Sequence, residues 1–166
     1  EQYRGALTND AAFHRRYMDL PFEVPDARFK RTITTLESDE GIHPVNAEGL
    51  TKLKPVLPDG SVTFGGQTHP ADGACGMVVA SADKVADLSK DPCISITVEG
   101  FGMARAEKSF MPAATIPAAQ RALTAANVLI KDVDVFTSHN PFAVNDIIFA
   151  TDMGIDVMNM NNFGCS

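Results

Sequence analysis

"TIPAAQRALTAANVLIKDVDVFTSHNPFAVNDIIFATDMG", residues 115 to 154, alternates between two kinds of apolar spacing, and the architecture follows from that alternation. From Thr115 to Leu129 the pattern is helical. Thr115 is the expected cap, Pro117 falls in the first turn, and Ala119, Ala122, Leu123 and Ala126 recur on one face. "VDVF", residues 133 to 136, reads as a short strand. "FAVNDIIFATDMG" reads as a second helix stopping at Gly154, and "IDVMNM" after it as a strand again. Helix, strand, helix, strand is the order of an α/β protein.

The corner "TSHNP", residues 137 to 141, lies where that strand gives way to the second helix. Two readings stand side by side. His139 sits at the carboxyl end of a strand and the amino end of a helix, where α/β proteins carry chemistry. Alternatively the corner is an ordinary cap, with Ser138 or Asn140 bonding free helix amides and Pro141 in the first turn.

Upstream, "ACGMVVAS" (74 to 81) is a continuous apolar run of strand length, as in a strand covered on both faces. "CISITVEGFGM" (93 to 103) alternates over its first half and reads as another strand. From residue 73 onward the order is strand, strand, helix, strand, helix, strand. The first 70 residues lack this alternation. Residues 1 to 20 place Tyr3, Ala6, Leu7, Phe13 and Tyr17 near helical spacing, ended by Pro21 and Pro25. "PFEVPDARFKRTITTLESDEG" gives one or two short extended pieces and a charged turn. "NAEGLTKLKPVL" gives a short helix stopped before Pro55.

Composition narrows the function classes. The 166 residues are 45% apolar and 21% charged, ample for a domain with a core. The formal charge is −7 and the 14 Lys and Arg residues are scattered, so a nucleic-acid partner lacks its basic stripe. No apolar run approaches the roughly 20 residues that span a bilayer, and a membrane partner is not expected. Cys75, Cys93 and Cys165 are an odd number with wide spacing. That argues against a disulfide framework and fits a reducing, cytoplasmic compartment. Cys75, opening an apolar run, is expected to be a buried thiol. His14, His43, His69 and His139 lie far apart, with no zinc spacing. "FGGQTHPADG" is glycine-rich but has neither the Lys-Ser/Thr pair nor the glycine spacing of a phosphate loop. No GxSxG elbow is present.

Read in order, several segments resemble the thiolase family. "DEGIHPVNAEGLTKLKPVLPDGSVTFGGQTHPADGACGMVVAS" (39 to 81) is similar to the family's KLKP and GTVTAGN.SG.NDGA stretch. "MPAATIPAAQRALTAANVLIKDVDVFTSHNPFAVND" (111 to 146) resembles the MG.GP.PA segment that runs on to NEAF. "VMNMNNFGCS" (157 to 166) is similar to the NV.GG segment leading to Gly-His-Pro, and "EQYRGAL" and "PFEVP" fit the family's opening helix and turn. The resemblance covers nearly the whole chain.

It implies a five-layer αβαβα fold, of which this chain holds part. Residues 1–67 would belong to the substrate-covering loop domain. Residues 68–90 would be the last strand and helix region of the N-terminal core half, and 91–166 the start of an incomplete C-terminal core half. It implies cleavage of a 3-oxoacyl-CoA by CoA, or the reverse Claisen condensation, with the coenzyme A thioester as substrate and no separate cofactor. The partners implied are acyl-CoA, CoA, further copies in a dimer or tetramer, and in some lines a small accessory subunit. The nucleophilic cysteine is expected before Glu1, and the Gly-His-Pro histidine and second cysteine after Ser166.

His139 matches the NEAF asparagine, which holds a water against the thioester oxygen; imidazole can donate the same hydrogen bond. Phe142 and Met111 match residues lining the pantetheine tunnel, and Thr68 a serine contacting the pantetheine amide. The family's GNASG becomes Gly66, Gln67, Thr68, His69, Pro70 here, Glu and Ala of NEAF become Asn140 and Pro141, and Cys165 replaces part of a GG pair. His69 is expected to reshape the acyl pocket, so the implied substrate carries an unusual acyl group. The alternative is a non-catalytic thiolase-like protein that binds acyl-CoA or lipid, or scaffolds a partner.

Overall fold

The clearest helix of the sequence is α5, Thr115–Ala126, one of six helices found in a computed structural model that describes residues 2–69, 73–91 and 93–164. Thr115 does not cap it. A short turn, Met111–Ala114, runs straight into the helix, Ala114 stands at the cap position, and the Thr115 hydroxyl donates to the Pro112 carbonyl at 2.8 Å. Pro117 keeps its expected place in the first turn, where its missing N–H has no helical partner to lose. The helix ends at Asn127, which takes the left-handed conformation (φ 54°) and donates its N–H back to Thr124 at 3.2 Å.

The helix belongs to one of two compact units, Asp72–Asp132; the other joins Glu1–Ala71 with Val133–Ser166. In the smaller unit the stretch around Gly100 and Gly102 lies against α5. A Cβ on either glycine would overlap the α5 backbone at Ala122 or Ala118. The alanine stripe of the helix and the paired glycines opposite are therefore one packing arrangement, and only side chains this small allow so close an approach. The same unit holds α4, Ala82–Leu88.

The two apolar runs expected as strands do not form a sheet. Residues 73–80 and 94–101 have no ladder partner among the described residues, and they expose Met77 (84%) and Ile96 (82%). A strand is stable only when a neighbour satisfies its backbone amides and covers its faces. Propensity alone does not supply that neighbour. Cys75 follows its run and is exposed, against expectation, as is Cys93; Cys165 lies outside the described residues.

In the larger unit the expected first helix is two: α1, Gln2–Ala6, and α2, Thr8–Tyr17. The two meet at Leu7, and the chain kinks within α2 at Asn9, Asp10 and Ala11, all at left-handed φ values between 53° and 60°. Asn and Asp tolerate that region better than other residues with a Cβ, and Thr8 turns its hydroxyl back to the Gly5 carbonyl at 2.8 Å. After Tyr17 the chain is extended at Met18.

The one sheet among the described residues is an antiparallel hairpin of β1, Phe22–Pro25, and β2, Thr32–Leu36. Phe22 faces Leu36 and Val24 faces Thr34, with an irregularity between Val24 and Pro25. Asp26 builds the connection. Its carboxylate accepts the N–H groups of Arg28 (3.0 Å) and Lys30 (2.9 Å), and its own N–H meets the Arg31 carbonyl at 2.8 Å.

Beyond the hairpin, His14 is 8% exposed and hydrogen-bonds Asp39 through Nε2 at 3.1 Å. The Tyr3 ring stands edge-on to the imidazole with centroids 5.7 Å apart. Burial, with the Asp39 carboxylate accepting the hydroxyl's hydrogen bond and adding its negative charge, pushes the Tyr3 hydroxyl above its ordinary value of 10.0. Asn46 caps the short helix α3, Ala47–Thr51, by accepting from the Gly49 N–H at 2.9 Å.

The last helix, α6, covers Ala143–Met153 and ends at Gly154 (φ 70°), as the pattern predicts. Residues on its two sides meet. Phe136 forms a parallel bridge with Met160, which is 1% exposed, and the Asn161 N–H donates to the Phe136 carbonyl at 2.9 Å. The expected strands 133–136 and 155–160 are thus reduced to a single pairing, with a tight turn at Val157–Asn159.

Candidate functional site

Residues 137 to 142 form the corner between the Phe136 bridge and α6. The corner departs from the cap reading in two particulars. Phe142 occupies the cap position with no side-chain cap bond, and Pro141 precedes it rather than standing in the first turn. Ser138 and Asn140 also serve a carboxylate. The Ser138 hydroxyl and the Asn140 amide each reach a carboxylate oxygen of Asp146 at 2.5 Å.

A second segment lies along the corner. Gln67 pairs with Phe142 in an antiparallel bridge, and the Thr68 N–H donates to the Pro141 carbonyl at 2.9 Å. Thr68 and Phe142, more than 70 positions apart in sequence, are therefore neighbours, both half-buried. His139 and His69 are exposed. The His69 ring stands edge-on to that of His43 with centroids 6.1 Å apart, and it packs so close over Gly41 that a Cβ there would come within 2.7 Å of Nδ1.

Four of the five residues singled out in the sequence, Thr68, His69, His139 and Phe142, thus belong to one region of the larger unit. The fifth, Met111, opens the exposed turn before α5 in the other unit.

The arrangement joins a donor-bearing side chain, His139, to a hydroxyl-bearing loop through main-chain bonds. The amino end of α6 adds a positive field at the corner. This combination suits an oxygen on which negative charge develops.

The sequence reading missed Asp146 and Asn161. Asp146, in the first turn of α6, is 7% exposed, and Asn161 is 5% exposed. An acidic residue at a helix start is too common a pattern to single out, and Asn161 acts from 15 residues beyond Asp146. Among the described residues no group of three or more His, Cys, Asp or Glu is placed to hold a metal ion, and no helix is long and apolar enough to cross a membrane.

Comparison with known proteins agrees with the segments quoted above. The chain is 36% identical over 131 residues to a 3-ketoacyl-CoA thiolase of Vibrio vulnificus, covering 76% of this chain and 33% of that protein. It is 32% identical over 146 residues to a "probable acetyl-CoA acyltransferase" of Staphylococcus epidermidis, covering 86% of this chain and 36% of the relative. Two solved structures share the fold across 99% of this chain and 40% of their own. They are an acetyl-CoA acetyltransferase of Bacillus anthracis (TM-score 0.78, 21% identity) and human mitochondrial 3-ketoacyl-CoA thiolase (TM-score 0.71, 26% identity). No protein-family model matches the chain.

The fold is the five-layer αβαβα fold of thiolases, present here in part. The chain belongs to the thiolase family, and it spans about a third of the length of the curated relatives it matches.

Proposed function

We propose that the protein carrying this chain is a thiolase-type acyltransferase, cleaving a 3-oxoacyl-CoA with CoA or running the reverse condensation. The observation that carries this reading is the bonding of the Thr68 loop to the His139 corner, supported by the kinship with 3-ketoacyl-CoA thiolases. In this reading His139 donates a hydrogen bond, directly or through a water, to the thioester oxygen as enolate charge builds on it. Thr68 holds the pantetheine amide through its hydroxyl, Phe142 and Met111 line the pantetheine channel, and His69 narrows the acyl pocket toward an unusual acyl group.

Residues 1–67 then serve as part of the substrate cover, 68–90 as the end of one core half and 91–166 as the beginning of the other. Assembly into a dimer or tetramer, a small accessory subunit, a cytoplasmic location and independence of any cofactor beyond the coenzyme A thioester belong to the same reading. They rest on the family resemblance and, for the compartment, on the cysteine usage.

The test is His139→Ala in the complete polypeptide, assayed by thiolysis of a series of 3-oxoacyl-CoA esters. Losing one oxyanion donor typically lowers kcat about 100- to 1,000-fold. Binding of CoA is expected to change little. Unchanged turnover would remove His139 from the mechanism.

A further inference from the structure

Asp146 binds the residues on both sides of His139. Its Oδ1 accepts the Ser138 hydroxyl at 2.5 Å, and its Oδ2 accepts the amide groups of Asn140 at 2.5 Å and of Asn161 at 2.8 Å. Asn161 completes the arrangement. Its Oδ1 accepts the Ser138 N–H at 2.9 Å, and its amide also reaches the Ser138 hydroxyl oxygen at 2.9 Å. Its own N–H holds the Phe136 carbonyl. A buried carboxylate is costly unless its oxygens are filled by donors, and here three neutral donors and the amino end of a helix fill them.

The consequence lies at the residue in between. With Ser138 and Asn140 both fastened to one carboxylate, the backbone at His139 is held on both sides, and with it the Cα–Cβ bond from which the exposed imidazole sets out.

We propose that Asp146 is a positioning residue: by fixing Ser138 and Asn140 it sets the direction in which the His139 imidazole leaves the corner. The proposal rests on the reading of His139 as the thioester-oxygen donor. A network serving the fold alone would affect stability and leave turnover per folded molecule untouched. A network that aims a catalytic donor shows itself in kcat, because a displacement of about 1 Å can cost about 100-fold in rate.

The variant Asp146→Asn is isosteric but places an NH2 group where an oxygen stood. In one orientation it faces the Ser138 hydroxyl, in the other the amides of Asn140 and Asn161, so at least one of the three bonds is lost or reversed. The exchange Asp146→Asn with Asn161→Asp supplies a remedy. The new amide at position 146 then donates to the new carboxylate at position 161, which also accepts the Ser138 hydroxyl and N–H, and the Asn140 amide turns over to accept. Residue 161 has a left-handed φ of 52°, which Asp adopts nearly as readily as Asn.

In the complete polypeptide, Asp146→Asn is expected to lower kcat by roughly 10- to 100-fold with KM for the acyl thioester nearly unchanged, and the exchange variant to recover most of the loss. A folded Asp146→Asn enzyme with parental kcat, while His139→Ala is impaired, overturns the positioning role and leaves the proposed function standing. Parental kcat in His139→Ala overturns both. A change confined to KM, or no recovery in a folded exchange variant, overturns the positioning role. Should Asp146→Asn fail to fold, Ser138→Ala, which removes the hydroxyl's bonds to Asp146 and Asn161 and keeps the Asn140 and Asn161 ties to Asp146, decides by the same split between kcat and KM.

Discussion

Asp39 is the point at which the opening helices are held, and replacing it with alanine tests that directly. In the native chain its carboxylate hydrogen-bonds Nε2 of His14 at 3.1 Å and lies by the Tyr3 hydroxyl, whose pKa burial and this carboxylate raise. The carboxylate is itself 38% exposed, so its charge is screened and the Coulomb part of the pairing is small. The loss is better reckoned from the donors left behind. A buried donor without a partner costs about 1–3 kcal/mol, and His14 is placed to incur most of that. The half-buried Tyr3 hydroxyl can turn toward water and adds under about 1 kcal/mol. Together these give roughly 2–3 kcal/mol for Asp39→Ala. Asp39→Asn, which keeps an acceptor oxygen, should lose about half as much. Urea unfolding, with the midpoint converted through a common slope, measures both. A loss below about 0.5 kcal/mol in Asp39→Ala, the range of an ordinary surface substitution, would show that Asp39 does not hold these helices.

The same cluster predicts an alkaline dependence. The Tyr3 hydroxyl is held above 10.0 in the folded chain, so the folded state binds that proton more tightly than the unfolded one. Its contribution is complete below about pH 10 and is lost as pH rises through the folded value. Stability measured from about pH 9 to 11 should fall less steeply in Tyr3→Phe than in the parent, and equal slopes would contradict it. In the smaller unit Gly102→Ala forces a methyl group into the α5 backbone at Ala118. A destabilisation of about 1–3 kcal/mol is expected and can be read from thermal unfolding. A neutral result would mean that this stretch and α5 are not in contact.

Features are legible in the sequence where local chemistry decides them. The presence of α5 and α6, the glycine stop at 154 and the turn at Asp26 follow from periodicity and turn residues within a few positions, although α5 stops at Ala126, short of the Leu129 that the pattern reaches. The division of the first helix at Leu7 and the kink beyond it are hidden because neither the turn nor three successive left-handed residues leave a trace in its apolar spacing. Thr115 resembles a cap because the preceding turn, Met111–Ala114, is not periodic enough to be seen. The runs around Met77 and Ile96 carry strand propensity, but pairing is a long-range property, and no neighbour meets them among the described residues. The expectation of a buried Cys75 falls with them. At the candidate site, His139, Phe142 and Thr68 emerge from the family resemblance. The bonds that join their segments span more than 70 positions and have no local signature. Asp146 and Asn161 stay invisible for the same reason: each looks ordinary until the chain returns after α6.

The loop at Gln67 to His69 is joined to the helix corner by main-chain atoms, through the Gln67–Phe142 pairing and the Thr68 N–H on the Pro141 carbonyl. A seam stitched by backbone is indifferent to which side chains flank it. Side chains at positions 67 and 69 can therefore change without unpicking the join. Ser138, Asp146 and Asn161 enjoy no such latitude, since each is held through its side chain and must change in concert with the others. A lineage built this way can vary the loop while the bonded corner beside it stands still.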